Sequence, residues 1–329
     1  MARKLRLEFP GAIYHVINRG NRRVGPFDEI ATRDAFESCL FEACARSKWL
    51  LHAYVVMKNH FHLAVETPDG NLAAGMQWLQ ATFTNRYNRF RGEAGHGSIF
   101  QGRYKALVVE SGTALGMLCH YIHLNPVRAG VVPVSTVGDW RWSSYRWLRA
   151  KTGRPGWLQM ETALAEAGGL ADEPAGWNAY EEYLAWQATE GPAGKGRAYA
   201  SMSRGWALGT TGFKAALVQQ FDLAATARAW EVSGAREVRA VRCETQLKAC
   251  LRIVKKDGTT VVTAPKGAPW KVAIAAWMKK ETEATNAWLA ERLQMGSATR
   301  VSQVVGRLLR APKSEAAKIF THLSERLAT

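Results

Sequence analysis

The first 127 residues alternate short β-branched and aromatic segments with longer segments whose apolar residues recur at helical spacing. The predicted strands are Ala12–Arg19, Leu50–Met57, Phe61–Glu66 and Ile99–Val109. The predicted helices are Thr32–Lys48, Asn71–Phe90 and Thr113–Val127, the last of which Pro126 helps to end. This β-α-β-β-α-β-α order predicts an α+β fold with a ferredoxin-like antiparallel sheet and helices on one face. Because that fold serves many unrelated functions, the function must be argued from the site.

The composition narrows the class of partner. The chain has 329 residues, with 44 Lys and Arg against 28 Asp and Glu, a formal charge of +16. With 47% apolar residues it is a folded basic protein, for which a polyanion is the expected partner. No apolar run approaches the ~20 residues of a membrane span, and five scattered cysteines argue against a disulfide scaffold or a zinc ribbon. We therefore expect no membrane partner and a cytoplasmic location.

The charge is divided unevenly along the chain. Residues 1–150 carry a net charge of +8, and residues 195–329 carry +13. Between them, residues 155–194 contain seven acidic residues and no basic ones. We therefore predict a domain over 1–150, an acidic helical connector over 151–194, and a basic helical DNA-binding region over 195–329.

The C-terminal region contains a predicted helix-turn-helix near residues 269–311. Helices are predicted at Pro269–Lys280, Ala284–Leu293 and Ala298–Leu309, and Ser297 can cap the last one after a turn containing Gly296. The last helix is expected to present Arg300, Gln303 and Arg307 to duplex DNA. An ordinary helical hairpin is the alternative interpretation.

Two short motifs carry candidate chemistry. In His60-Phe61-His62, the two-residue period of a strand places both imidazoles on one face, which makes half of a metal site. In Tyr121-Ile-His-Leu-Asn125, a phenol and a neutral oxygen ligand lie one helical turn apart. A tyrosine can form a covalent intermediate with phosphorus while a metal orients the phosphate. Each motif alone also has an ordinary structural explanation.

Taken together, the motifs resemble a known family. NHFH at 59–62, followed by YIHLNPVRAG at 121–130, is similar to the single-tyrosine HUH transposases, most closely the REP-associated tyrosine transposases. YHVINRGNRR at 14–23, GSIFQGRYKALVVE at 97–110 and WRWSSYR at 140–146 are similar to further segments of that family. The resemblance covers roughly residues 8–147.

The resemblance implies a mechanism. Tyr121 is then the nucleophile that attacks single-stranded DNA, leaving a 5′-phosphotyrosine link and a free 3′-hydroxyl. His60 and His62 are then metal ligands and Asn125 takes the place of the third, which is Gln in some relatives. The implied metal is Mg²⁺ or Mn²⁺, and the two imidazoles favour Mn²⁺. No ATP is needed, because the phosphotyrosine bond conserves the energy of the cleaved phosphodiester.

The resemblance also implies the substrate, a DNA hairpin with a flanking single-stranded guide sequence. The DNA-binding candidates are Asn18, Arg19, Asn21, Arg22 and Arg23 after the first strand, and Arg103, Tyr104 and Lys105 on the fourth. The basic and amide side chains suit phosphates and base edges, and Tyr104 suits stacking on a base. Related insertion-sequence transposases form dimers, so a homodimer and a self-sufficient monomer both stay open.

Two other functions remain open at this stage. A domesticated DNA-binding protein or repressor would keep the fold without cleaving DNA, although a pure binder has no need of His60, His62 and Tyr121 together. A site-specific RNA-binding protein on the same fold is disfavoured. The leading hypothesis is a metal-dependent, hairpin-specific single-strand DNA endonuclease and strand transferase that processes repetitive palindromic or insertion-sequence-like elements.

Overall fold

A computed structural model describes residues 7–21, 25–92, 99–189, 199, 201–221, 232–310 and 313–327. The chain divides into two compact units, and the boundary lies between Thr210 and Thr211. The segment predicted as an acidic connector, 151–194, belongs to the same unit as the sheet, and so do the first residues of the predicted C-terminal region. No helix in the described ranges is both long and apolar enough to cross a membrane.

The first unit contains a five-stranded sheet in the order β2-β3-β1-β4-β5. Its strands are β1 (Ala12–Arg19), β2 (Leu50–Val56), β3 (His60–Thr67), β4 (Lys105–Val109) and β5 (Ala207–Leu208). The first four strands pair antiparallel, whereas β5 pairs parallel to β4. The predicted α+β class is confirmed, and β5 is an addition that the sequence pattern did not predict.

Six α-helices with described bounds accompany this sheet, together with three short 3-10 helices at Val134–Asp139, Ser144–Trp147 and Lys151–Gly153. The α-helices are α1 (Ile30–Ser47), α2 (Leu72–Arg91), α3 (Thr113–His123), α4 (Asn125–Arg128), α5 (Glu161–Glu166) and α6 (Pro174–Thr189). The helix predicted over Thr113–Val127 is therefore two helices, separated at Leu124. Pro126 explains the break, because proline has no N–H to continue the helical hydrogen bonds and restricts the residue before it.

One face of the sheet is covered by α1 and α2 around an aromatic core. Phe61 of β3 is fully buried, and its ring centroid lies 4.7 Å from that of Phe36 on α1. Phe83 of α2 lies 5.1 Å from Phe36 in an edge-to-face contact. Each fully buried phenylalanine contributes roughly 1.5–3 kcal/mol relative to an exposed one. This apolar layer fixes the side of β3 that carries Phe61, and thereby the side that carries the histidines.

The opposite face of the sheet is covered by α3, which packs against β2 and β3. Two buried histidines of α3 are held by α6: the Nδ1 atoms of His120 and His123 lie 3.0 and 2.8 Å from the hydroxyl of Tyr180. The Nε2 atom of His123 lies 2.8 Å from the hydroxyl of Ser144. Part of the predicted acidic connector thus helps to hold α3 on the sheet.

All the regular secondary structure in the described residues of the second unit is helical. Its helices are α7 (Thr211–Gln220), α8 (Val232–Ile253), α9 (Gly258–Thr263), α10 (Pro269–Glu281), α11 (Asn286–Arg292), α12 (Ala298–Arg310) and α13 (Glu315–Leu327). The centre of its core is α10, in which Ala273, Ile274 and Ala275 are fully buried. Lys271 is also buried. Its Nζ atom donates to the carbonyl oxygens of Val261 and Ala264 at 2.8 and 2.9 Å, and these hydrogen bonds offset the loss of hydration.

The turn between α11 and α12 has the predicted chemistry. Gly296 adopts a φ of 96°, a conformation that strongly favours glycine. The hydroxyl of Ser297 accepts a hydrogen bond from the backbone N–H of Arg300 at 3.2 Å, which makes Ser297 the predicted cap. Val301, Val305 and Leu308 of α12 are buried, so the opposite side of that helix is exposed.

Candidate active site

The two predicted histidine ligands lie on β3, on the face of the sheet opposite Phe61. In the pairing of β1 with β3, His62 is opposite Ile17 and His60 is opposite Arg19. Since side chains alternate along a strand, both imidazoles share one face with alternate residues of β1. The ring centroids of His60 and His62 lie 5.1 Å apart with an interplanar angle of 87°.

Helix α3 brings Tyr121 to the same face. The Tyr121 ring meets His62 edge-on, with 5.4 Å between the ring centroids and an interplanar angle of 88°. Tyr121 is only 7% exposed, so its ring is held by packing. The structure therefore brings together the predicted nucleophile and the predicted metal ligands, which are sixty residues apart in sequence.

Asn125 lies beside these residues, although the local structure differs from the predicted one. It is the first residue of α4 and is buried, and its side chain forms a hydrogen bond with His60. Tyr121 and Asn125 therefore do not share one continuous helix, because α3 ends at His123. The break at Leu124 sets the amide position relative to the histidines.

A third histidine, His15 of β1, joins the site. Its Nε2 atom lies 2.8 Å from Nδ1 of His62, and its Nδ1 atom lies 2.7 Å from the carbonyl oxygen of Met202. The ring of His15 also stacks on His62 at 5.1 Å and meets Tyr121 at 5.9 Å. His15 was not among the predicted site residues. Strand alternation nevertheless places it on the same side of β1 as Ile17, which lies opposite His62.

All three histidines are held in the neutral form. Burial lowers the pKa of His15 and of His60 to about 4, and nearby Arg19 adds to the effect at His60. The pKa of His62 lies well below its ordinary value, chiefly because of burial and then because of His15 and His60. A neutral imidazole keeps one nitrogen lone pair, which is the form that binds a metal.

The donor set of His60, His62 and Asn125 fits a divalent cation. Two neutral imidazoles and one amide oxygen suit Mn²⁺ and related metals better than an all-oxygen site would. The described residues contain no group of three His, Cys, Asp or Glu side chains arranged to hold a metal, and the amide of Asn125 is the neutral oxygen donor beside the two histidines. The set also leaves coordination positions for phosphate oxygens.

Two further aromatic and basic groups adjoin Tyr121. The guanidinium carbon of Arg128 lies 4.8 Å from the ring centroid of Tyr121 and 4.8 Å from that of Tyr199. The rings of Tyr121 and Tyr199 are 5.6 Å apart. Arg128 belongs to the YIHLNPVRAG motif, so its place near the site could have been predicted from the sequence. Nothing in the sequence pattern indicated Tyr199.

The predicted DNA-binding residues after β1 fall into different environments. Asn18 is buried, and its amide donates to the carbonyl oxygen of Gly102 at 3.2 Å, so it supports the backbone of the neighbouring segment. Arg19 is exposed on the histidine face, and Asn21 is half-buried. Arg22 and Arg23 lie outside the described residues.

The predicted DNA-binding residues on and just before β4 also differ in how exposed they are. Arg103 is exposed, but Tyr104 is 6% exposed, which leaves little ring surface for the predicted stacking of a base. Lys105 is half-buried, and its Nζ atom donates to the carbonyl oxygen of Ser203 at 2.8 Å. Lys105 therefore helps to hold residues 201–208, here called the return segment, which ends in β5.

The predicted duplex-reading residues of the second unit lie together on α12. Arg300, Gln303 and Arg307 are all exposed on the side opposite the buried Val301 and Val305. They therefore occupy one accessible helix surface after the turn at Gly296.

Comparisons with family models and with solved structures each found a match to this chain. Residues 9–125 match the family model described as "Transposase IS200 like". A solved structure described as "Structure of the REP associates tyrosine transposase bound to a REP hairpin" is 21% identical, with a TM-score of 0.39, over 47% of this chain and 89% of that one. No curated protein matches the chain. The family-model match over residues 9–125 confirms the resemblance to IS200-like transposases that the motifs predict.

Proposed function

We propose that this protein is a metal-dependent endonuclease and strand transferase for single-stranded DNA that acts through a covalent link to Tyr121. The observation that carries the proposal is the 5.4 Å edge-on contact between Tyr121 and His62, with His60 and Asn125 beside it. A phenol held next to two neutral imidazoles and an amide is a set of groups that can carry out phosphodiester transfer when a metal is bound. The IS200-like family match over residues 9–125 supports the same chemistry.

In the proposed reaction the phenolic oxygen of Tyr121 attacks the scissile phosphorus. A bond forms between this oxygen and phosphorus, and the bond from phosphorus to the 3′-oxygen breaks. Tyr121 loses its phenolic proton, and the departing 3′-oxygen gains one to become a hydroxyl. Attack of a 3′-hydroxyl on the phosphotyrosine reverses these changes and rejoins the strand, so no external energy source is needed.

The residues around Tyr121 have separate roles in this scheme. His60, His62 and Asn125 would hold the metal, and the depressed pKa values of the histidines keep their lone pairs free for it. Bound there, Mg²⁺ or Mn²⁺ would polarise the scissile phosphate and offset its negative charge. Arg128 and Arg19 add positive charge on the same face, which suits the phosphates on either side of the scissile one.

The proposed substrate is a hairpin with an adjacent single-stranded guide, as the resemblance implies. The strand order β2-β3-β1-β4 supports a ferredoxin-like sheet, which we propose as the catalytic platform. The exposed residues Arg19 and Arg103 are the candidates for contacts to the guide or the hairpin backbone.

The second unit is proposed to bind duplex DNA through α11, the turn at Gly296 and α12. The support is the capped turn together with the exposed Arg300, Gln303 and Arg307 on one side of α12. In a helix-turn-helix, the second helix lies in the major groove and its side chains contact base edges. A repressor that binds the same hairpins without cleaving them is the competing function.

The deciding experiment is incubation of the full-length protein with a pool of repeat hairpins carrying their flanking sequence, in the presence of Mn²⁺. A covalent protein–DNA adduct that survives denaturing electrophoresis, and that the Tyr121→Phe variant does not form, supports the enzyme. Tight binding of a hairpin without adduct formation under any divalent metal would support the repressor instead.

A further inference from the structure

His15 is the middle member of a hydrogen-bonded chain that runs from the Met202 carbonyl oxygen to His62, a predicted metal ligand. It is fully buried in the centre of β1, between Met202 and His62. The two hydrogen bonds use both of its ring nitrogens, at 2.7 Å to the Met202 carbonyl oxygen and 2.8 Å to Nδ1 of His62.

The direction of this chain follows from the chemistry of its last partner. A carbonyl oxygen can only accept, so Nδ1 of His15 must carry its proton and donate to Met202. His15 is fully buried, and neither of its two hydrogen-bond partners is a carboxylate that could offset a positive charge, so the ring is neutral and its Nε2 atom has no proton. Nε2 of His15 therefore accepts, and Nδ1 of His62 must be the donor.

We propose that His15 is a positioning residue that fixes His62 in the Nδ1–H tautomer and so leaves its Nε2 lone pair for the metal. The proposal rests on the metal-dependent function proposed above and adds a residue to it. In the other tautomer of His62, two nitrogen lone pairs would face each other across 2.8 Å in a buried site. A partner that orients a ligating histidine from behind also strengthens its binding to the metal.

The far end of the chain is held by the return segment. The carbonyl oxygen of Ser203 accepts from Lys105, and the carbonyl oxygen of Trp206 accepts from the backbone N–H of Val108 at 3.0 Å. Ala207 and Leu208 then pair with β4 as β5. Met202 lies near the start of this segment, and its backbone N–H donates to the carbonyl oxygen of Tyr199 at 3.2 Å. Contacts before and after Met202 in the sequence therefore hold the carbonyl that accepts from His15.

A tautomer measurement on the metal-free, full-length protein tests the positioning role directly. With histidine labelled by ¹⁵N, long-range proton–nitrogen spectra identify which ring nitrogen carries the proton. We expect the Nδ1–H form for His62 in the wild type. The Nε2–H form of His62 would overturn the positioning role, whatever the protein does to DNA.

Variants at His15 then test the link to the metal. His15→Phe keeps an aromatic ring against Tyr121 but removes both nitrogens, so we expect Mn²⁺ affinity to fall about 10–100-fold. His15→Gln keeps a side-chain oxygen that can accept from His62 and should recover most of the affinity. Calorimetric titration with Mn²⁺ alone, without DNA, gives these values. Wild-type affinity in a folded His15→Phe protein would overturn the proposal.

His52 supplies a matched control in the same sheet. It is also a buried strand histidine, with hydrogen bonds of 3.1 Å to Glu66 and 3.2 Å to Thr162. His52→Phe should lower the stability of the protein but leave Mn²⁺ affinity and the His62 tautomer unchanged. An equal loss of affinity in both variants would assign the His15 effect to general destabilisation and overturn the proposal.

The failure of the proposed function would look different. A wild-type protein that binds no Mn²⁺ and forms no adduct refutes the metal-dependent reaction and the metal-presenting part of the His15 role together. If His15→Phe does not fold, the wild-type tautomer and the His15→Gln affinity still decide the question.

Discussion

The guanidinium carbon of Arg128 lies 4.8 Å from the ring centroid of Tyr121 and 4.8 Å from that of Tyr199, two rings that are themselves 5.6 Å apart. A guanidinium held against aromatic rings keeps its charge, and its N–H groups can still donate hydrogen bonds. Arg128 is exposed, so a DNA phosphate can reach it. The same contact therefore orients the proposed nucleophile and places a cation beside the phosphate that it attacks.

Replacing Arg128 should slow adduct formation more than it weakens hairpin binding. We expect Arg128→Ala to lower the rate of adduct formation by about 10²-fold, the lower end of what one lost transition-state contact costs. Arg128→Lys should recover part of the rate, because the charge stays but the planar stacking is lost. Single-turnover kinetics with a labelled hairpin measure both. The exposed Arg89 on α2 provides a control with the same loss of charge, and an equal effect of Arg89→Ala would contradict the assignment.

Tyr121→Phe removes only the phenolic oxygen and should abolish the adduct while hairpin affinity persists. The ring stays, so its contacts with His62, His15 and Arg128 are kept. Tyr199→Phe is the matched control, since it removes a neighbouring hydroxyl and should leave adduct formation intact. Cleavage by Tyr121→Phe at the wild-type rate would mean that another tyrosine, Tyr87 or Tyr104, is the nucleophile.

Removal of the metal or its ligands should stop cleavage without unfolding the protein. His60→Ala and His62→Ala should each lower the cleavage rate by at least about 10²-fold, and EDTA should have the same effect on the wild type. Asn125→Ala should be milder, because a water can replace a neutral amide ligand. Adduct formation in EDTA with and without added Mn²⁺ checks this, and full activity in EDTA would exclude the metal.

The buried histidines of α3 should make the first unit sensitive to acid. Burial lowers the pKa of His120 to about 4 and that of His123 to about 3, whereas an unfolded histidine titrates near 6.5. As the pH falls through this window the unfolded chain takes up protons that the folded chain refuses, so the free energy of unfolding decreases. Each histidine contributes on the order of 3 kcal/mol between neutral pH and pH 3.

Urea unfolding between pH 7.5 and 3.5, followed by hydrogen exchange in α3, measures this dependence. His123→Gln should flatten the curve, because one of the titrating groups is gone. The exposed His322 of the second unit provides the control, since His322→Gln should leave the α3 curve unchanged. A wild-type curve that is flat across this range would contradict the prediction.

A truncation series should separate cleavage from duplex binding. A fragment ending at Thr210 keeps Tyr180, Tyr199 and the Met202 carbonyl, so it should cleave single-stranded DNA. A fragment ending near residue 155 loses these contacts and should lose activity. Relative to the full chain, the Thr210 fragment should bind duplex DNA with a salt slope reduced by about 0.9 for each lost phosphate contact.

Point variants in the full chain test α12 itself. Arg300→Ala and Gln303→Ala should reduce the preference among duplex sequences, whereas Arg307→Ala should weaken binding to all sequences alike. Equal duplex affinities and equal salt slopes for the Thr210 fragment and the full chain would show that the second unit does not bind DNA.

Local pattern was sufficient for most of the sheet and for the residues brought to it. The bounds predicted for β1 are those observed, and β3 begins one residue earlier than predicted. Alternation around Phe61 then placed His60 and His62 on one face. The break at Leu124 is not visible in the pattern, because the apolar residues continue past the end of α3 and Pro126 is compatible with the first turn of a new helix as well as with the end of an old one.

The rest of the site depends on pairings that leave no local signal. β5 has two residues, too few for any period to be visible. Its pairing with β4 brings Met202 to His15, and the register of β1 against β3 brings His15 to His62. Tyr199 reaches Tyr121 through the same return of the chain, so none of these contacts follows from spacing alone.

The hydrogen bond from His15 to Met202 joins residues 187 positions apart, so it can form only late in the synthesis of the first unit. A ribosome adds roughly 5–20 residues per second, so His15 emerges on the order of 10–40 seconds before its acceptor does. While the 81 residues from Tyr121 to Met202 are being added, a nascent chain contains His60, His62 and Tyr121 but lacks the acceptor that holds His15 behind His62. The proposed site for DNA cleavage is therefore incomplete until synthesis of the first unit is nearly finished.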